Sequence, residues 1–218
     1  MTTKRRAAFV AVLRRHPEHA LRLARLGGVG IEAEASDDRW REVDGRFADP
    51  SGSSEWFQAG LALAAFDPGG EALQCLILEP LFAKEPRRPI IWYSLRIGLF
   101  ARHRVGTPVL VLVPNPAVEQ WVRGEFENDT KMLPNLIGRD AMPAIVDEAE
   151  AAGDPGWATL SAAMHAQGPH AVATARAALR AAASLPDDRR REYAELIWLG
   201  LIRADKDQVR DEMPSPRT

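Results

Sequence analysis

From Ala72 to Leu78 the chain is almost uninterrupted in apolar side chains, and the run ends in a carboxylate, Glu79. A short loop rich in Pro and Arg follows, then a helical pattern, then a second apolar run from Thr107 to Val113. Short runs of Val, Leu and Ile bounded by turn residues read as buried strands. Residues 71–113 therefore predict a strand–helix–strand unit with an acid at the mouth of its first strand. In open sheets with helical crossovers, chemistry collects beyond the strand ends, which makes Glu79 the first candidate functional residue.

The rest of the chain is organised around that unit. Phe9, Val10, Leu13, Ala20, Leu23 and Leu26 recur at helical spacing, with Pro17 breaking or restarting the helix and Gly27-Gly28 ending it. Val29, Ile31, Ala33 and Ala35 alternate with Gly30, Glu32 and Glu34, the period-two signature of a half-exposed strand. Asp44 to Ser54, rich in Gly, Asp and Ser, reads as loop. Trp56 to Phe66 reads as an inner strand, joined by the turn Asp67-Pro68-Gly69-Gly70 to the strand ending at Glu79, so the two should form an antiparallel hairpin.

Beyond Glu79, the prolines at 80, 86 and 89 exclude regular structure until about Ile90, where a helix begins that carries Ile91, Leu95, Gly98 and Leu99 on one side and runs to Arg104. Asn115 and Pro116 have the residue types of an N-cap and first helical position, as do Asp154 and Pro155. After a short apolar piece, Met132 to Ile137, the pattern is helical through Ala171–Ala183 and Glu192–Ile202, and the charged tail from Asp205 to Thr218 reads as disordered. The expected organisation is an α/β core over residues 1–138, a helical extension packed on it over 139–204, and a tail over 205–218.

Size and charge narrow the function classes. With 46% hydrophobic residues in 218, the chain can bury a sizeable core. The net charge of −2 provides no global basic field for nucleic acid, although local patches remain open. The single cysteine, Cys75, lies inside the first apolar run and reads as a small buried hydrophobe in a cytoplasmic protein. No apolar run approaches the roughly 20 residues of a membrane span, so no membrane association is expected.

The order helix, three strands, helix, strand, with an acid ending the third strand, resembles the core of the PD-(D/E)XK nuclease superfamily. The stretch ILEPLFAKEPRRPIIWYSLRIGLFARHRVGTPVLVLVPNPAVEQW is similar to the corresponding block of its bacterial recombination-promoting nuclease and transposase-related proteins. Glu79 falls at their strand-end Glu, Glu85-Pro86 at their acid-Pro pair, Trp92 opens the helix, and Val118 to Trp121 matches their Val-x-x-Trp helix. The resemblance implies a restriction-endonuclease-like mixed sheet flanked by helices, with an α-helical C-terminal extension.

It also implies a catalytic pattern. Two carboxylates on adjacent strands hold a divalent cation that polarises phosphate and acidifies a water, with Lys or Gln two positions after the second acid. Glu79 supplies the second acid. Gly60 stands where the first should be, and Leu81 stands at the Lys/Gln position. Lys84, five positions beyond Glu79, and Glu55 or Asp67, flanking the preceding strand, are the residues from which a rearranged Mg²⁺ site would have to be built.

Arg87, Arg88 and Arg96, with Arg102 and Arg104, are the candidate phosphate-contacting set. The plain alternative makes Glu79 a solvated acid paired with Arg87 or Arg88. His16, His19, His103, His165 and His170 lack zinc spacing and receive no ligand role. Ser51, Ser53 and Ser54 form no nucleophile elbow, and the six Trp read as core or interface anchors.

The leading expectation is a catalytically impaired or inactive nuclease-fold protein that needs no cofactor and serves as a binding or assembly module for DNA, a protein partner or a second copy of itself. The alternatives are a Mg²⁺-dependent DNA endonuclease with a rearranged site, and a structural subunit docking a partner through its helices.

Overall fold

The structure is a computed structural model that describes residues 2–31, 36–49 and 55–214. The chain divides into two compact units, one of residues 13–137 and one of residues 1–12 with 138–218.

Helix α1 (Thr2–Arg15), whose residues up to Val12 fall in the other unit, ends before His16, and α2 (Pro17–Leu26) restarts with Pro17 in its first turn, where a missing N–H costs nothing. The expected strand over Val29–Ala35 is absent at residues 29–31, and residues 32–35 lie outside the described part. The first strand of the sheet is instead β1 (Trp40–Glu42), three residues too short and polar to carry a period-two signal.

The segment expected as loop from Asp44 holds β2 (Arg46–Ala48), which pairs antiparallel with β3 (Trp56–Gln58) in a separate two-stranded sheet. The single strand expected over Trp56–Phe66 is consequently two, broken at Ala59-Gly60 before β4 (Leu61–Phe66) resumes.

β4 and β5 (Ala72–Pro80) form the expected hairpin, with Leu61 opposite Leu78 and Ala64 opposite Cys75. Its turn is set by Asp67, whose carboxylate accepts the Glu71 N–H at 2.8 Å, and by Gly70 at φ +86°. Across the crossover helix α3 (Arg88–His103), β6 (Val109–Val113) pairs parallel to β5, with Glu79 level with Val111. Helix α4 (Pro116–Glu125) is capped as its sequence implies, the Asn115 side chain accepting the Ala117 N–H at 2.9 Å. β7 (Asn135–Gly138) closes the sheet in the order β1-β4-β5-β6-β7, a mixed sheet with helices on its faces.

Alternation along β5 and β6 decides the two faces. Ile77, Leu81, Val109, Val111 and Val113 share one buried cluster with Trp92, Leu95 and Leu99 of α3 and Val118 and Val122 of α4. On the other side Leu110 reaches Gly27, where a Cβ would lie 2.5 Å from its Cδ1, so only glycine lets the end of α2 settle there. Gly98 similarly admits the Phe47 ring against α3, a Cβ there falling 2.2 Å from Cδ1. Helix α3 starts at Arg88, before the expected Ile90, because Pro89 is tolerated in a first turn. Its outer side leaves Ile90, Tyr93, Ile97 and Phe100 exposed.

The other unit is helical: α5 (Glu148–Gly153), α6 (Pro155–His165), α7 (Ala171–Ala182), α8 (Asp187–Gly200) and α9 (Arg203–Val209). Asp154 caps α6 through the Trp157 N–H at 3.0 Å, and α6 is buried from Gly156 to His165. Ser161 donates to Pro143 O at 2.7 Å and accepts the Ile145 N–H at 3.1 Å, tying residues 143–145 to α6. Arg5 belongs to this unit: its guanidinium donates to Ala163 O at 2.8 Å, and burial pulls its pKa down to about 10.

The tail expected to be disordered from Asp205 instead carries most of α9 and a 3-10 turn over Arg210–Glu212. Val209 is buried there, and Arg176 donates to Glu212 at 3.0 Å and to Gln208 O at 3.1 Å. Such a short segment owes its order to docking and has little periodicity of its own. Residues 215–218 lie outside the described part.

Candidate functional site

Glu79 is the next-to-last residue of β5, on the same pleat face as Ile77 and Leu81, so its side chain points toward the start of α3. It is 1% exposed. The solvated strand-end acid of the plain reading is thus a buried carboxylate, which must be neutralised or hydrogen-bonded to be tolerated.

Two groups meet it. The Gly60 N–H, at the break between β3 and β4, donates to Oε1 at 2.5 Å, and Arg88 Nη1 lies 3.5 Å from Oε2. The same guanidinium donates through Nε to Glu85 Oε2 at 2.6 Å. One fixed cation, on the first residue of α3, therefore sits between two carboxylates.

The residues expected to rebuild a metal site are not brought together with Glu79. Asp67 follows the far end of β4, and the register that puts Phe66 opposite Ala72 leaves it roughly 20 Å of strand away from Glu79. Glu55 is taken up by Arg87 at 3.0 Å. Lys84 is exposed on the loop between β5 and α3, and Leu81 is buried in the apolar cluster.

Mg²⁺ requires near-octahedral oxygen ligation. Here the Gly60 N–H and the Arg88 guanidinium, donors rather than oxygen ligands, meet the Glu79 carboxylate, and Leu81 is apolar. This donor set does not fit the ion, and no hydrolytic step follows from it.

The expected phosphate-contacting set is also divided. Arg88 is only 15% exposed at its side chain and is held by Glu79 and Glu85. Arg87 lies between Glu55 and the buried Asp49, the latter at 3.5 Å. Arg102 donates to the backbone oxygens of Asp44 and Arg46 and lies over the Phe47 ring at 4.7 Å. Arg104 is the C-cap of α3 at φ +61°. Arg96 and Arg104 are exposed without a carboxylate partner among the described residues, and Arg96 lines a cavity bounded by α3, the start of β6 and residues 126–135.

Glu85 and Asp49 were not legible as partners of these arginines. The signal for Glu85 was its i, i+3 spacing to Arg88; Asp49 gave none, since it sits in a segment that read as loop.

Among the described residues, one group of three potential ligands gathers within 4.8 Å: His16, Glu18 and His19. His16 Nδ1 lies 3.0 Å from Glu18 Oε1, and the two rings stack at 4.9 Å. The sequence spacing had assigned these histidines no role. They occupy the first turn of α2, whose partial positive charge disfavours a cation, so the group does not by itself define a metal centre.

Fold and site together define a mixed α/β protein in which a buried strand-end carboxylate is held by a backbone N–H and an arginine. Comparison of the chain with protein-family models, with curated proteins and with solved structures gives no match in any of the three. No helix among the described residues is long and apolar enough to cross a membrane.

Proposed function

We propose that this chain is a nuclease-fold protein without nuclease chemistry, retained as a binding or assembly module. The observation that carries the reading is the commitment of Glu79 to the Gly60 N–H and Arg88, which leaves a structural ion pair where the PD-(D/E)XK pattern requires a cation site. The order of helix, antiparallel three-strand succession, crossover helix and parallel strand supports the ancestry. The test is incubation of the purified chain with supercoiled and linear DNA in Mg²⁺ and in Mn²⁺. No cleavage is expected; cleavage that Glu79→Ala abolishes would reverse the reading in favour of an endonuclease with a rearranged site.

A second reading, a structural subunit, is favoured by the exposed Ile90, Tyr93, Ile97 and Phe100 of α3 and by the engagement of Arg87 and Arg88 with carboxylates. DNA binding should weaken steeply as salt rises. Association that persists in high salt, with no DNA shift in low salt, selects the structural subunit.

A further inference from the structure

We propose that the cavity bounded by α3, the start of β6 and residues 126–135 binds a small aromatic anion, a planar ring bearing a carboxylate or a phosphate. The inference is independent of the fate of Glu79. The cavity holds about 310 Å³, the size of a small-ligand site. Three aromatic side chains line it, Trp92, Tyr93 and Phe126, which suits a planar body.

Its charge has one sign. Arg96 and Lys131 line it, no Asp or Glu does so, and neither cation pairs with a carboxylate among the described residues. An unopposed pair of cations at the mouth of an apolar cavity selects an anion, and a guanidinium offers carboxylate or phosphate a planar fork.

Trp92 is 2% exposed, which makes it a fixed aromatic wall of the cavity. Pro108 and Pro134 stiffen two walls, so little ordering is required on binding.

The test is isothermal titration of the full chain with two probes, 2-naphthoate and adenosine 5′-monophosphate, each beside its neutral counterpart, 2-naphthamide and adenosine. At least one anion should bind, with its neutral counterpart weaker by about tenfold or more, as expected for loss of a charge-assisted contact. Arg96→Gln and Lys131→Gln, both at exposed positions, should each weaken the anion by a similar factor. Which probe binds assigns the carboxylate or the phosphate. Failure of both anions to bind at millimolar concentration, equal binding of the neutral counterparts, or affinities unchanged by both substitutions would overturn the proposal.

Discussion

Arg88 Nη1 lies 3.5 Å from Glu79 Oε2, and the pair is almost entirely withdrawn from water. A buried pair of this kind is more costly to break than to replace, because removing one partner strands the other charge in a low-dielectric interior.

Arg88→Met should therefore destabilise the chain by about 3–5 kcal/mol, while adding Glu79→Gln to Arg88→Met should recover part of that loss, since the amide oxygen still accepts the Gly60 N–H. Urea denaturation of the two single variants and the double variant measures the coupling. Additive effects would mean that the two side chains do not act as a pair.

Gly98→Ala should destabilise despite the better helix propensity of alanine. The propensity gain is about 1 kcal/mol, whereas a Cβ 2.2 Å from the Phe47 ring forces overpacking that costs about 1–3 kcal/mol. Thermal unfolding should show a lower midpoint. Combining the change with Phe47→Ala should remove the clash and leave the two effects non-additive.

Cys75 should not react with thiol reagents in the folded chain. Burial pushes its thiol up to about 11, partly opposed by a hydrogen bond with Thr107. At pH 8 the thiolate is then ~0.1% of the total, and the sulfur is fully enclosed. Labelling with a disulfide chromophore should proceed only after denaturant is added; rapid labelling of native protein would contradict the packing of β5.

His165 should make the chain less stable in mild acid. Its Nε2–H donates to Met142 O at 2.8 Å, leaving Nδ1 buried without a partner, so a second proton has nowhere to bond. Burial is the main cause that lowers its pKa; His170 and Arg139 add to it, and the Met142 carbonyl and Asp140 oppose it.

The unfolded histidine takes up its proton near pH 6.5, where the folded one still resists. Stability should thus be level above that pH and fall below it, because the unfolded state binds more protons. Thermal midpoints between pH 7.5 and 5.5 should decline, and His165→Gln, which keeps a donor for Met142 O, should decline less. Equal slopes for the two proteins would exclude His165 as a source.

The unit from β5 through α3 to β6 was legible because each part depends on its own neighbours: an apolar run of strand length, the Asp67 turn with Gly70, a helix with Ile91, Leu95 and Leu99 on one side, though the buried Trp92 was not placed on that side. The caps at Asn115 and Asp154 were legible for the same reason, since an N-cap needs only a side-chain oxygen and an N–H two or three residues on. The three-residue β1, β2 and β3 were not, because strands that short have no readable period and exist only through their partners.

The surroundings of Glu79 divide along the same line. The sequence by itself determined that an acid stands near the end of β5, with a glycine at 60 and an apolar residue at 81. Tertiary structure alone decided that the carboxylate is buried, that the Gly60 N–H and Arg88 hold it, and that Asp67 stands at the far end of the hairpin. Those contacts join residues nine and nineteen positions apart, and whether such a pair meets depends on strand register and on where α3 begins, quantities fixed by packing of the whole sheet and recorded in no local stretch of sequence.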